Sequence, residues 1–275
     1  MPLDLPKAVI LGILQALTEF LPVSSSGHLA LMQHWLKLDP DSPEMLLFDV
    51  CVHLGTLVAV ILVFLRPIRE FVKTLVSELR GERVGRPFAV QLAFIAILAS
   101  AGTAAIGLPF QHQFERMFAR PRVVAACLVV TGLLLITTAV APRGRRGWRR
   151  FTMWGGLAVG LAQGLAILPG ISRSGSTICV ATFVGLKRRW AAQFSFLIAA
   201  PAIAGAAVLK IRDASQLAPS ELATISWTAI AAGTLISVAL GYVALKLLLA
   251  VVRRARLHYF AWYCWALAAA VLFFG

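Results

Sequence analysis

The sequence predicts an all-α integral membrane protein, with six transmembrane helices plus two re-entrant helical hairpins arranged as an inverted-topology repeat. Three observations carry this expectation. Of 275 residues, 59% are apolar and only 14% charged, with a mean hydropathy of +0.83, whereas soluble domains carry about 25% charged residues. Six apolar segments reach the roughly 20 residues that a helix needs to cross about 30 Å of hydrocarbon. Four shorter apolar stretches come in two pairs, each pair separated by a Pro/Ser/Gly cluster.

Taken in order, the first pair is 6–21 and 27–37, followed by crossings at 46–65, 87–109 and 122–141. The second pair is 151–168 and 177–186, followed by crossings at 192–210, 222–250 and 257–275. Helical hairpins that enter the membrane and turn back explain both the shortness and the pairing. The chain's first residues, MPLDLPKAVILGILQALTEFLPVSSSGH, lack a cationic n-region and a small-residue cleavage pattern, so they read as retained structure rather than a signal peptide. Cys51, Cys127, Cys179 and Cys264 lie in apolar stretches with no C-x-x-C spacing, which indicates packing residues, not a zinc site or disulfide framework.

A net charge of +14, from 26 Lys and Arg against 12 Asp and Glu, would point to nucleic acid in a soluble protein. Here no nucleic-acid partner is expected, because the cations stand between apolar runs and mark lipid contact and orientation instead. Seventeen of them fall in connections 66–86, 142–150, 187–189 and 253–256. The six-crossing layout puts all four connections on one side, with Lys37, Arg116, Arg120, Arg122, Lys210 and Arg212 opposite. Cytoplasmic loops are the cation-rich ones, so those four connections are expected in the cytoplasm and the C-terminus outside.

The two hairpins also resemble each other. Gly12-Ile-Leu-Gln15-Ala-Leu, Leu21-Pro22 and Ser24-Ser25-Ser26-Gly27 parallel Gly160-Leu-Ala-Gln163-Gly-Leu, Leu168-Pro169 and Ser172-Arg173-Ser174-Gly175 at an offset of 148, or 147 for the Leu-Pro pair. The chain then reads as one membrane domain, 1–275, with a first repeat of about 1–141 (hairpin 6–37) and a second of about 151–275 (hairpin 151–186). One hairpin and three crossings per half leave the halves inverted, and broken segments at matching positions of such halves point to a midplane site. Gly156, Gly160 and Gly164 share one helix face, a signal for close helix packing.

Ionisable residues are costly in a bilayer and mark function; those away from the interfacial loops include Glu19, His28, Asp49, His53 and Arg173. Gln15 and Glu19, spaced i, i+4, share a helix face, and Pro22 with Ser24, Ser25, Ser26, Gly27 and His28 follows at once. Glu19 has the chemistry of a hard-cation ligand or general base, and a serine with His28 that of a nucleophile and proton partner. Pro169-Gly170-Ile171-Ser172-Arg173-Ser174-Gly175-Ser176-Thr177 opens a helix; its backbone N–H groups, hydroxyls and the Arg173 fork make an anion site, most naturally for phosphate. Competing readings are N-capping for Ser24, Ser26, Ser172 and Ser176, a structural ion pair for Glu19 and Arg173, and solvation for Asp49 near its helix end. His34, His112 and His258 read as interfacial, and Trp262, Tyr263 and Trp265 as packing or interface anchors.

These residues resemble a known family, the undecaprenyl pyrophosphate phosphatases of the bacitracin-resistance type. Its first motif, (E/Q)-x-x-x-E then F-L-P-(V/I)-S-S-(S/T)-G-H, is matched by Gln15 to Glu19 and Phe20 to His28, and its second, P-G-x-S-R-S-x-x-T, by Pro169 to Thr177. Further similarity covers Phe48-Asp49-Val50 with Leu54-Gly55, and Phe194-Ser195-Phe196-Leu197 with Pro201. The resemblance implies hydrolysis of undecaprenyl pyrophosphate to undecaprenyl phosphate and inorganic phosphate, which recycles the lipid carrier of peptidoglycan synthesis in the bacterial inner membrane, with a site opening to the periplasmic side. It implies a divalent cation, Mg²⁺ or Ca²⁺. Carried over by position, Glu19, Ser25, His28 and Arg173 are the catalytic core, Ser24, Ser26, Gly170, Ser172, Ser174 and Thr177 the substrate-binding groups, and Gln15, Glu19 and Asp49 the metal ligands. Gln15 stands where many relatives have Glu, which moves the weight of metal binding and base catalysis to Glu19, with Asp49 in support.

Two routes stay open from sequence. In one, Ser25 attacks the terminal phosphorus with His28 or Glu19 taking its proton; in the other, a metal-bound water attacks and Ser25 is a ligand or donor. A lipid or anion transporter or flippase with a midplane phosphate site is the alternative function, and an oligomer is compatible with either.

Overall fold

The computed structural model describes residues 3–82, 87–118, 120–141, 144–214, 217, 222 and 225–274. Ten α-helices carry the architecture among them: α1 (Leu5–Phe20), α2 (Ser25–Trp35), α3 (Pro43–Leu79), α4 (Phe88–Phe118), α5 (Pro121–Thr137), α6 (Met153–Leu165), α7 (Arg173–Phe183), α8 (Arg188–Ala214), α9 (Trp227–Arg253) and α10 (Tyr259–Phe274). Four are long and apolar enough to cross a membrane: Pro43–Leu79, Phe88–Phe110 within α4, Arg188–Arg212 within α8, and Trp227–Arg253. α5 and α10, expected as full crossings, are shorter apolar helices of 17 and 16 residues.

The helix ends follow local chemistry. Asp4, Ser42, Thr152 and Ser172 each accept a backbone N–H three residues on, and Pro43 and Pro121 occupy first-turn positions whose missing N–H costs nothing. Connection 66–86 is not a loop as expected: α3 runs on to Leu79, because the segment after Pro67 keeps an apolar face (Ile68, Val72, Val76) beside its cations. Glu78 at its end accepts the Phe88, Ala89 and Val90 amides (3.2, 2.9 and 3.0 Å), placing an anion on the N-terminus of α4. Likewise α8 begins at Arg188, absorbing most of connection 187–189. Arg83, Arg86 and Arg143 of the cation-rich connections lie outside the described residues, as does the side chain of His112.

Within a bilayer, apolar side chains gain little by leaving lipid, so close packing of small residues and interhelical hydrogen bonds hold helices together. Here they do so reciprocally. α1 packs on α9 and α6 on α4. A Cβ at Gly12 would lie 2.7 Å from the Gly233 carbonyl oxygen, and one at Gly160 would run into the Ala99 backbone. The Ser237 hydroxyl of α9 donates to the Gly12 carbonyl (3.2 Å), and the Thr103 hydroxyl of α4 donates to the Gly160 carbonyl (2.9 Å). α5 and α10 pack against one another, as do α3 and α8. Phe20, Phe194, Phe196, Ile178 and Leu245 fill the main buried cluster.

Candidate active site at two facing loops

Two short loops, between α1 and α2 and between α6 and α7, face each other inside this packing. Ser24 stands in the left-handed region (φ 70°), a strained conformation for a residue with a Cβ. Its hydroxyl accepts the Gly27 amide at the start of α2 (3.3 Å) and, from the other loop, the Gly170 amide (3.1 Å). In the second loop the Ser172 hydroxyl accepts the Gly175 amide at the start of α7 (3.0 Å). The Ser174 hydroxyl reaches back to the Leu21 carbonyl (3.5 Å). A Cβ at Gly27 would sit 3.1 Å from Gly170, and one at Gly175 would sit 3.2 Å from the Pro22 side chain, so a side chain at either position would require the opposite loop to give by a few tenths of an ångström.

Glu19, at the end of α1 and buried, is the hub. One carboxylate oxygen accepts the Ser25 hydroxyl (2.6 Å) and the Gln15 amide (3.0 Å), and the other pairs with Arg173, which the second loop places at the first turn of α7. His53 of α3 brings its Nε2 to 3.7 Å from the same carboxylate. An ion pair withdrawn this far from water is costly to assemble and far costlier to leave half-made. Two of its neighbours keep open valences: the Gln15 Oε1 and the Arg173 Nη1 are buried without a hydrogen-bond partner, as is the Ser176 hydroxyl. Ser25, Ser26, Arg173 and His53 are partly exposed while Glu19 and Gln15 are buried, which leaves the hydroxyl and the guanidinium as the approachable face.

Not every expected group joins this hub. His28 is buried on the far side of Ser24: its Nδ1 donates to the Ser24 carbonyl (2.7 Å), so its Nε2 accepts the Tyr263 hydroxyl (2.8 Å). Both ring nitrogens are thus engaged away from Ser25, whose hydroxyl donates to Glu19 instead. Asp49 lies one residue removed, holding the Gln33 amide at 3.0 and 3.2 Å, while its backbone carbonyl accepts His53 Nδ1 (2.7 Å). Thr177 is turned from the loop, its hydroxyl donating to the Arg173 carbonyl (2.7 Å) and lying 2.5 Å from the Ser195 hydroxyl of α8. Ser26 is 3.4 Å from the Ser24 hydroxyl. Capping and loop bridging therefore occupy Ser24 and Ser172.

Three contributors have no motif to announce them. Tyr263, read from sequence as packing or an interface anchor, bonds and stacks on His28 with ring centroids 5.6 Å apart. Thr131 of α5 donates to the Gly170 carbonyl (2.7 Å) and accepts the Ser172 amide (3.0 Å), fixing the second loop from outside. Ser195 holds Thr177. A lone hydroxyl in an apolar helix carries no sequence signal that separates such roles from packing.

The arrangement joins a hydroxyl pre-bonded to a carboxylate with a guanidinium at a helix N-terminus, the parts needed to activate an oxygen nucleophile beside an anion. Comparisons with known proteins agree in kind. The model of the family described as "Bacitracin resistance protein BacA" matches residues 8–270. Among similar curated proteins, one from Halorhodospira halophila is 40% identical, covering 96% of both chains. One from Desulfatibacillum aliphaticivorans is 42% identical over 97% of both, and one from Carboxydothermus hydrogenoformans is 40% identical over 97% of this chain and 95% of its own. All three bear the name undecaprenyl-diphosphatase.

Proposed function

The chain belongs to the bacitracin resistance protein BacA family, and from that premise we propose that it is a membrane phosphatase that hydrolyses undecaprenyl pyrophosphate to undecaprenyl phosphate and inorganic phosphate. The observation that carries the chemistry is the 2.6 Å hydrogen bond from the Ser25 hydroxyl to Glu19, closed on its other side by Arg173. Glu19 takes the Ser25 proton as Oγ attacks the terminal phosphorus. The bond to the bridging oxygen breaks, and polyprenyl phosphate leaves with the electron pair. Water then hydrolyses the seryl phosphate. Arg173 turns its unpartnered Nη1 to the phosphoryl oxygens, and the N-terminus of α7 adds its positive end where charge builds up. His28, tied to Ser24 and Tyr263, holds the strained loop that aims Ser25.

A divalent cation, Mg²⁺ or Ca²⁺, fits beside this pair. The Gln15 Oε1 is a buried oxygen donor without a partner next to the Glu19 carboxylate, and among the described residues no group of three or more His, Cys, Asp or Glu gathers. Gln15 and Glu19 would hold the ion together with diphosphate oxygens, as suits a hard cation bound through one or two protein oxygens; the Asp49 carboxylate, held by Gln33 and meeting His53 only through its backbone carbonyl, stands outside this pair. When bound, the ion offsets phosphoryl charge.

The reciprocal contacts of α1 with α9 and α6 with α4, and of Gly27 with Gly170 and Gly175 with Pro22, support six crossings plus two re-entrant hairpins built as an inverted repeat. The halves would be about 1–141 and 151–275 of one membrane domain. We place the protein in the bacterial inner membrane with the cation-rich connections cytoplasmic and the site open to the periplasm, where the lipid carrier is recycled for peptidoglycan synthesis.

Phosphate release from farnesyl or undecaprenyl diphosphate by the purified full chain tests this. Ser25→Ala is expected to lower turnover by about 10³-fold or more, and acid-quenched wild type to carry phosphate on Ser25. Undiminished turnover in Ser25→Ala would assign the attack to water and end the serine route.

A further inference from the structure

A groove of about 340 Å³, with neither Glu19 nor Arg173 among its lining residues, opens between α3, α8 and α9. Val63, Phe64, Leu249 and Ala250 form much of its apolar wall, and Arg189, Lys246 and Arg253 its cations, with no carboxylate among the lining residues. Lys246 is the telling one. It lies two turns inside α9, in a run otherwise apolar from Ala244 to Val252, where an ammonium is expensive and normally has a purpose. Its Nζ rests 4.2 Å from the Tyr242 ring centroid and Arg189 stacks on Trp190 at 4.3 Å; among the described residues none of the three cations pairs with a carboxylate. The neighbouring depression along α3 differs: it also holds cations, but Glu70 sits among them and pairs with Arg66 at 3.1 Å.

We propose that this groove binds the phosphate headgroup of an anionic phospholipid, with an acyl chain along Leu249, Val63 and Phe64. Unbalanced cations on flexible stems, at the end of the bundle that bears the cation-rich connections, complement a phosphodiester. The apolar wall complements the chain and disfavours a free anion. Basic pockets between membrane helices take anionic headgroups on the same terms, at an energy that scales with each Lys or Arg near the surface.

Native mass spectrometry of the full chain, with added phosphatidylglycerol as probe, tests the site. Wild type is expected to retain one phosphatidylglycerol through mild activation in the presence of excess inorganic phosphate, and not to retain phosphatidylcholine. Removing all three charges (R189Q, K246Q and R253Q together) is expected to weaken retention on the order of 100-fold, and Lys246→Gln alone roughly fivefold. The same number of charges removed from Arg145, Arg149 and Arg150 is expected to leave retention intact, and thermal unfolding reports whether each variant is folded. Equal loss in both triple variants, equal retention of phosphatidylcholine, displacement by inorganic phosphate, or unaltered retention in Lys246→Gln would each overturn the proposal.

Discussion

At Ser24 and again at Ser172 the chain does the same thing. A serine hydroxyl accepts the amide three residues on, a helix begins, and a glycine in the first turn lets the opposite loop come within van der Waals reach. The next residue differs: Ser25 starts α2 and Arg173 starts α7. One turn before each loop, Gln15 and Gln163 correspond, each with a buried unpartnered Oε1, but Glu19 corresponds to Ile167 at the same offset of 148. The loops share their capping bonds and glycine contacts, although Ser24 is left-handed (φ 70°) and Ser172 is not (φ −75°), and they divide the chemistry, the first keeping the acid and the hydroxyl, the second the cation. A symmetric pair of loops would put like charges face to face in a low-dielectric interior, which is costly; divergence turns that cost into an ion pair.

Glu19→Gln should break the division most severely. Phosphate release is expected to fall by about 10³- to 10⁴-fold, since both the base and the partner of Arg173 are lost. If the loops act as one unit, Glu19→Gln with Arg173→Gln should be little worse than Glu19→Gln alone. Multiplying losses would mean that the two halves work independently.

The backbone plan is tested away from the chemistry. Gly12→Ala and Gly160→Ala press a methyl against the backbone of a packed helix that cannot give way, so each should destabilise by about 1–3 kcal/mol, seen as faster thermal inactivation in detergent. Comparable losses would support equivalent halves, and a loss in only one would break the equivalence. The smallest effects are expected for Ser237→Ala, which removes one interhelical hydrogen bond worth about 0.6 kcal/mol in a membrane, and for Thr103→Val, which removes two, to Gly160 and from Gln163. Chemical denaturation of the two variants should give the larger shift for Thr103→Val, because its hydroxyl also accepts the Gln163 amide (3.1 Å).

Much of the site was legible in sequence because it is local. The i, i+4 spacing of Gln15 and Glu19 survives as a direct hydrogen bond, and the serine clusters became the N-caps that their composition allowed. The pairing of Ser25 with Glu19 rather than His28 was not legible. It depends on Ser24 at φ 70°, which turns His28 toward Tyr263, a partner 235 positions away. Nor was the continuation of α3 to Leu79, since a polar connection and an amphipathic helix share one composition.

Sequence alone determined the solvent, the apolar segments, the two loop motifs and the residue types that meet there, because hydropathy, capping and helical spacing act within a few residues. Only the tertiary structure decided the partners. Glu19 and Arg173 stand 154 positions apart, Thr131 shapes a loop it does not belong to, and Lys246 becomes one wall of a groove only when α3 and α8 arrive beside it. Interactions between distant segments are set by how helices pack, through small residues and buried hydroxyls, and that geometry is not written at any single position.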